Sequence, residues 1–298
     1  MQKVIIISLF ILVSFIWGTT WIAMKIATNT IPPLFATGFR FLLSFPLLLT
    51  IAYFRKAPLF FPLGQRKFQL IISIFYFLFP FSLMLYAGST LNSVLASIIF
   101  SNMPVIVLIS SIILLKEKTY FSRRLGIFTS IVSLILLVGK ELYSRHFNSL
   151  IGIFSLIFAM VSHSIIYALC KKKSYKISII TFNTIPSFFS GILLTIIAWF
   201  IENPSLKKFS FVSIMAVFYL STFVSIGAIL MYFYLQKCIN NFYASIVFLI
   251  IPIISELLEF FIYGNSISLD EYLFFIPIII SVLLTLLPKS FFKKIFFI

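Results

Sequence analysis

The sequence predicts an all-α integral membrane protein with ten transmembrane helices. The helices are expected to form two inverted five-helix repeats, with the N and C termini in the cytoplasm. Three observations support this fold class. Apolar residues make up 61% of the 298 residues and charged residues only 10%. The basic residues are concentrated in alternate loops, and one sequence pattern occurs twice at a spacing of 148 positions.

The composition lies outside the range of soluble domains, in which roughly half of the residues are apolar and about a quarter are charged. Lipid can solvate so large an apolar surface, so the chain is expected to cross a membrane several times. The first apolar segment follows Lys3 and lacks a small-residue cleavage site, which favours a retained span over a removed signal peptide. The two cysteines, Cys170 and Cys238, are expected to be free thiols.

Ten apolar segments are long enough to cross a bilayer as helices. Each has roughly 17–25 residues, enough for about 30 Å of hydrocarbon, except the fifth, which needs residues from its flanks. Helices are required because lipid offers no hydrogen-bond partners to an open backbone. The segments cover residues 4–26, 33–53, 68–87, 91–115, 125–139, 150–170, 177–201, 210–236, 241–263 and 272–288.

The loop charges orient these segments. If the N terminus is cytoplasmic, the inner loops and termini carry 17 of the 23 lysine and arginine residues and the outer loops carry 4, with Lys25 and Arg40 left inside spans. Positive charge concentrates on the cytoplasmic side of membrane proteins, so this split predicts that both termini are inside and that the number of spans is even. The net charge of +16 is therefore a topology signal, and nucleic acid is not expected as a partner.

The repeated pattern divides the chain into a first half, residues 1–145, and a second half, residues 146–298. A half that contains five spans must insert upside-down relative to its copy. Inverted repeats of this kind are the usual construction of secondary transporters. The matched positions are Tyr86 and Tyr234, Asn92 and Asn240, Ala96 and Ala244, Ser97 and Ser245, and Pro104 and Pro252.

Shorter motifs occur in order along the chain. They are WGTTWIAMK in the first segment, Pro33 and Arg40-Phe41 in the second, Ala96 to Pro104 and LLKEK in the fourth, and Arg124-Leu125-Gly126 at the opening of the fifth. With the repeat and the topology, this set resembles the EamA-type, ten-helix branch of the drug/metabolite transporter superfamily.

The resemblance implies a multi-pass protein of the bacterial inner (cell) membrane. It further implies export of amino acids or related metabolites by alternating access. Two positions depart from the family pattern. Asn265 stands where an acidic residue is usual, and Phe274 stands where the first half has Gly126.

Aromatic residues predict a substrate cavity between the halves. Trp17 and Trp21 lie four residues apart on one face of the first segment, and His163 and Tyr167 occupy the matching places 146 positions later. They are interpreted as two symmetry-related walls that could stack on a substrate or hydrogen-bond to it. Helix packing with interfacial aromatic residues is the alternative. The lysines one turn further on, Lys25 and Lys171, are expected to be cations at helix ends.

Arg40 lies seven residues into the second segment. Charges inside a membrane usually face the protein interior or water, so Arg40 could bind an anionic group of the substrate. A structural ion pair or an outer-interface position is the alternative. Tyr86 and Tyr234 end the third and eighth segments and could form a gate or pack.

Prolines suggest where the helices could bend, and acidic residues suggest how transport could be coupled to protons. Asn102 and Pro104 interrupt the fourth segment, and Pro104 and Pro252 are interpreted as a symmetric pair of hinges. Glu256 and Glu259 are the acidic residues within a span, and a buried carboxylate there could couple transport to protons. Alternatively, Glu256 pairs with Arg40 or Lys25, while Glu259 lies near the outer interface.

The sequence contains no enzyme constellation. It has no Walker lysine in a glycine-rich loop and no metal-spaced His/Cys set, so neither an enzyme nor a bound cofactor is expected. The expected function is a secondary transporter of a small metabolite. A proton-coupled drug-type exporter, a membrane-embedded lipid-modifying enzyme and a protein whose transport has decayed are the alternatives. The oligomeric state is not defined by the pattern.

Overall fold

The computed structural model describes residues 2–143, 147–172, 177–239, 244, 247–264 and 269–287. The secondary structure within these ranges is helical, without strands, so the predicted all-α class is confirmed. Of the positions discussed above, Asn240, Ser245 and Asn265 lie outside the described residues, as do the side chains of Lys171 and Phe274.

We group the helices into ten units, α1 to α10. Two units, α3 and α8, are continuous helices that contain a π-helical section, and α4 is interrupted. The bounds are α1, Gln2–Thr28; α2, Pro33–Phe54; α3, Arg66–Ile72, Ser73–Leu78 and Phe79–Thr90; α4, Ser93–Phe100 and Met103–Leu115; α5, Phe121–Tyr143; α6, Phe147–Lys172; α7, Ile179–Ile201; α8, Phe211–Tyr219, Leu220–Ala228 and Ile229–Cys238; α9, Val247–Tyr263; and α10, Leu269–Leu286.

The units α1 to α8 correspond to eight helices that are long and apolar enough to cross a membrane. Large apolar side chains are exposed along them, among them Phe128 and Ile135 on α5 and Phe154 and Phe158 on α6. Such a surface suits lipid and not water. In α10 the apolar stretch Ile276–Thr285 is shorter, so the number of ten spans stays a prediction.

The helices pack with a pseudo-symmetry between α1–α5 and α6–α10. α1 packs against α8 and α9, and α6 packs against α3 and α4. α2 likewise contacts α8, whereas α7 contacts the π-helical section of α3. Two further pairs, α2 with α7 and α5 with α10, each join a helix to its own counterpart. Exchanging the two sets of five helices reproduces these particular contacts.

Glycines permit the two contacts between counterpart helices. A Cβ atom on Gly38 of α2 would lie 2.8 Å from the backbone nitrogen of Thr195 on α7. On Gly126 of α5 it would lie 2.5 Å from the carbonyl oxygen of Ser281 on α10. Backbone atoms cannot move aside as side chains can, so any larger residue at these two positions would push the helices apart. The absence of a side chain on glycine therefore permits the close approach.

The π-helical sections lie at matching places, since they begin at Ser73 in α3 and at Leu220 in α8, 147 positions apart. A π-helix widens the turn and leaves some carbonyl groups open to other donors. In α3 these carbonyls accept hydrogen bonds from neighbouring helices: Ser190 Oγ donates to the Ser73 oxygen at 2.6 Å, and Ser162 Oγ donates to the Phe75 oxygen. Both sections lie at contacts between helices, since the section in α3 packs against α6 and α7 and the section in α8 packs against α1 and α2.

The interruption of α4 at Ser101 and Asn102 is held by the buried side chain of Asn102. Its Nδ2 donates to the carbonyl oxygen of Ile99 at 3.2 Å, and its Oδ1 accepts a hydrogen bond from Ser130 Oγ of α5 at 2.7 Å. Pro104 lies in the first turn of the second piece, where it costs no helical hydrogen bond. By contrast, Pro252 lies inside α9, so the two prolines occupy different local structures.

Candidate substrate cavity

A cavity opens among α1, α2, α3, α4, α6, α8 and α9. The centre of a water-sized sphere can occupy about 80 Å³ of it. Fourteen of its lining residues form seven pairs at positions that match between the two halves, either 146 or 148 residues apart. The pairs are Trp17 and His163, Trp21 and Tyr167, Tyr76 and Val224, Phe81 and Ile229, Met84 and Tyr232, Phe100 and Phe248, and Met103 and Ile251.

One side of the cavity, which we call the aromatic wall, consists of Trp17, Trp21, Phe100, Tyr232 and Phe248. Trp17 stacks on Phe248 with ring centroids 5.2 Å apart and lies 4.7 Å from Tyr232. Phe100 joins the group through edge contacts with Trp21 at 5.5 Å and with Phe248 at 5.9 Å. This wall offers a large apolar surface of nearly fixed shape, because each ring is held by another.

A second group of lining residues, which we call the polar wall, consists of Tyr76, Phe81, His163 and Tyr167. His163 Nε2 lies 3.0 Å from the carbonyl oxygen of Tyr76, which the π-helical section presents. A carbonyl can only accept a hydrogen bond, so Nε2 carries the proton and Nδ1 of the neutral ring is an acceptor. The hydroxyl groups of Tyr76 and Tyr167 lie 3.1 Å apart. The wall therefore provides hydrogen-bonding atoms beside aromatic rings.

Arg40 adds a charge to the polar wall. Its side chain is 2% exposed, its Nε donates to Ser225 Oγ in the π-helical section of α8 at 2.7 Å, and its guanidinium carbon lies 5.1 Å from the centre of the Phe81 ring. His163 contacts the same ring, with centroids 5.3 Å apart. No aspartate or glutamate of the described residues forms an ion pair with Arg40. The cation is thus buried at the cavity and held by one neutral hydrogen bond.

The structure brings together Trp17, Trp21, Arg40, His163 and Tyr167 of the residues proposed from the sequence. The other members of that set lie elsewhere in the described part of the chain. Tyr234 is 54% exposed, Tyr86 is half-buried, and Asn102 is buried against α5; none of the three lines the cavity.

The two glutamates of α9 also lie outside the cavity lining. Glu259 is buried and pairs with Lys25 of α1, at 2.8 Å between Oε1 and Nζ. The sequence suggested that Lys25 could pair with Glu256 of α9; the glutamate of α9 that lies against Lys25 is Glu259. Lys25 Nζ also lies 4.4 Å from the centre of the Tyr263 ring. Glu256 is half-buried.

Sequence reasoning missed Tyr76, Phe81, Tyr232, Phe248 and Phe100. The pair Phe100 and Phe248 could have been found, because both positions fall in the repeated pattern at the spacing of 148. Tyr76 and Tyr232 have different residues at their matching positions, so no repeat marks them. Among the described residues, no group of three His, Cys, Asp or Glu side chains is close enough to hold a metal ion.

Two stretches of the chain, residues 4–139 and 150–287, match the sequence profile of the EamA-like transporter family. The chain belongs to this family. The resemblance to EamA-type transporters is therefore confirmed. Together with the apolar helices, family membership makes the chain a multi-pass membrane protein.

Two similar proteins come from bacteria. An uncharacterized transporter of Buchnera aphidicola subsp. Schizaphis graminum is 55% identical over 99% of this chain and 98% of its own length. Protein PagO of Salmonella typhimurium is 48% identical over 97% of this chain and 95% of its own length. A solved crystal structure superposes with a TM-score of 0.65 over 95% of this chain and 96% of that one; at 14% identity it supports the fold alone.

Proposed function

We propose that this EamA protein is a secondary transporter that moves a small metabolite across the bacterial inner membrane. The proposed mechanism is alternating access between two inverted halves, residues 1–145 and 146–298, with ten spans and both termini in the cytoplasm. One observation carries the proposal: the cavity is lined by seven pairs of residues at matching positions of the two halves. A site between two symmetry-related halves can open to either side of the membrane as the halves rock against each other.

Amino acids and related compounds are the proposed substrate class, and export is the proposed direction. Arg40 provides a cation for a carboxylate, His163 Nδ1 provides an acceptor, and the aromatic wall provides a surface for an apolar side chain. Sites of this type combine mostly apolar walls with a few placed polar groups. The family membership supports transport, while the cavity's chemistry supports the substrate class.

Counterflow in proteoliposomes tests this function. Purified protein is reconstituted, the vesicles are loaded with a mixture of amino acids and related carboxylic acids, and exchange of each labelled compound is measured. We expect exchange of at least one compound above that of empty vesicles. Absence of exchange for every compound in the mixture would contradict the transport proposal.

A matched pair of tryptophan variants tests the cavity. Trp17 stacks in the aromatic wall, whereas Trp199 of α7 is 51% exposed on the apolar surface. We expect Trp17→Ala to reduce exchange at least tenfold and Trp199→Ala to leave it within about twofold, because only Trp17 contacts the substrate. Equal effects of both changes would place the transport site elsewhere.

A proton-coupled exporter is the second candidate function. It is favoured by the buried carboxylate of Glu259, whose Oε2 has no hydrogen-bond partner in the described structure. Such a group can exchange a proton if the ion pair with Lys25 opens. If either glutamate couples transport to protons, a pH gradient should accelerate exchange in the wild type, and the glutamine variant of that glutamate, Glu259→Gln or Glu256→Gln, should lose the acceleration. A wild-type exchange rate that is the same with and without the gradient would exclude this candidate.

A further inference from the structure

The lining of the cavity carries a positive charge. Arg40 is the one charged side chain among the described residues that line it, and these include neither aspartate nor glutamate. The two glutamates of α9, Glu256 and Glu259, do not line it, and Glu259 pairs with Lys25. The described site therefore holds a cation without a counter-ion.

The hydrogen bonding of Arg40 leaves part of its guanidinium group for a ligand. Its hydrogen bond to the rest of the described structure runs from Nε to Ser225 Oγ. The group has five N–H donors in a planar fork, and the two terminal nitrogens can bind both oxygens of a carboxylate. A buried charge is costly unless it is paired, so the site favours a ligand that brings a negative charge.

We propose that the substrate is a monoanionic carboxylic acid with a large apolar body, and that zwitterionic amino acids bind less well. This inference rests on the proposed transport function and narrows its substrate class. The carboxylate binds to the terminal nitrogens of Arg40, and the apolar body lies against the aromatic wall. An oxo or hydroxyl group next to the carboxylate can form hydrogen bonds with the side chains of the polar wall.

The same charges disfavour a ligand ammonium group. A zwitterion brings no net charge, so its complex leaves the positive charge of Arg40 uncompensated. Its ammonium group would also lie close to the guanidinium group, since the two ends of an α-amino acid are adjacent. The ring faces of Trp17 and Tyr76 can attract a cation, but an aromatic face is a weaker partner than a carboxylate.

Three probes of the same shape separate the charge types. They are 3-phenylpropionate, an anion; phenylalanine, a zwitterion; and phenethylamine, a cation. Each competes in proteoliposomes against the exchange of a labelled compound that the wild type transports. We expect 3-phenylpropionate to inhibit at a concentration at least tenfold lower than phenylalanine does, with phenethylamine weakest. Equal or stronger inhibition by phenylalanine would overturn the inference while leaving the transport function intact.

Arginine variants test the role of Arg40 in this preference. We expect Arg40→Gln to abolish the preference for the anion over the zwitterion, because the amide lacks the charge. Arg55→Gln is the matched control, since Arg55 is exposed at the end of the same helix, and it should retain the preference. If Arg40→Gln does not fold, the probe competition in the wild type still decides. Retention of the preference in a folded Arg40→Gln protein would overturn the inference.

Failure of the inference is distinguishable from failure of the function. If no compound exchanges in the wild type, the transport proposal fails and the inference falls with it. If exchange occurs and zwitterions compete best, only the inference fails.

Discussion

Lys25 Nζ donates to Glu259 Oε1 at 2.8 Å, and this ion pair joins the last turn of α1 to α9. The glutamate side chain is 4% exposed and the lysine side chain 29%. The pair has no copy in the other half, because Ser111 stands at the position that matches Glu259. The link between the helices is thus present in one half of a pseudo-symmetric structure.

Replacing Lys25 alone should destabilise the folded protein more than replacing both Lys25 and Glu259. Lys25→Met leaves a buried carboxylate without its counter-charge, and we expect a loss of roughly 3 kcal/mol in the free energy of unfolding. The double variant Lys25→Met with Glu259→Gln should recover most of this loss. Thermal unfolding in detergent measures both, and a double variant as unstable as Lys25→Met would show that the pairing does not matter.

Because α5 and α10 approach closely, adding one methyl group at their contact should lower the stability of the protein. Gly126→Ala should destabilise the protein by about 2 kcal/mol, because its Cβ would lie 2.5 Å from a backbone oxygen of α10. Gly139→Ala in the same helix is the control, since nothing lies within 4 Å of that position. The control should be neutral or stabilise by up to ~1 kcal/mol through helix propensity. Thermal unfolding of both variants in detergent compares them, and equal melting temperatures would contradict the close approach.

Asn102 should hold the interruption of α4. Asn102→Leu removes the hydrogen bonds to the carbonyl oxygen of Ile99 and to Ser130 Oγ, and we expect a loss of about 1–3 kcal/mol. Ser130→Ala removes one of these bonds and should cost less, while Asn148→Leu, at an exposed position, should cost nothing measurable. The melting temperatures of the three variants test this order, and a neutral Asn102→Leu would show that backbone packing alone maintains the interruption.

Glu202 predicts a pH dependence of stability. Its carboxylate oxygens accept hydrogen bonds from the backbone nitrogens of Leu34 and Phe35, at 2.9 Å each, at the start of α2. Burial raises the pKa of this carboxyl group above its ordinary value, an effect larger than the opposite effect of the two hydrogen bonds. The folded state therefore binds the proton more tightly than the unfolded state does, so stability should rise as the pH falls through the raised pKa.

The matched variant isolates this contribution. Glu202→Gln cannot titrate at this position, so the difference in melting temperature between wild type and variant should change across that pH window. The wild type should gain relative to the variant as the pH falls, and should stop gaining below the pKa of the unfolded chain. A difference that is constant with pH would show that Glu202 has the same pKa in both states.

The site shows where prediction from the sequence stops. The repeat relates the positions of Trp17 and His163 and predicts that both face a central cavity, and both line the cavity of the structure. Tyr76 and Tyr232 line it as well, yet neither differs in sequence context from the aromatic residues that face lipid. A soluble helix marks its buried face by polar residues on the other side, but a membrane helix is apolar all round. Periodicity therefore could not select these side chains.

The amino-acid sequence is sufficient to show that the chain is helical, lies in a membrane and belongs to the EamA-like family, and it predicts the two halves. These properties depend on the length of apolar segments, the distribution of charges and a repeat, all of which are local or additive along the chain. Three contacts become visible in the folded chain alone. Glu259 pairs with Lys25, Arg40 donates a hydrogen bond to Ser225, and His163 hydrogen-bonds to the carbonyl oxygen of Tyr76. Each of these contacts joins residues 87 to 234 positions apart, so it depends on how the helices cross.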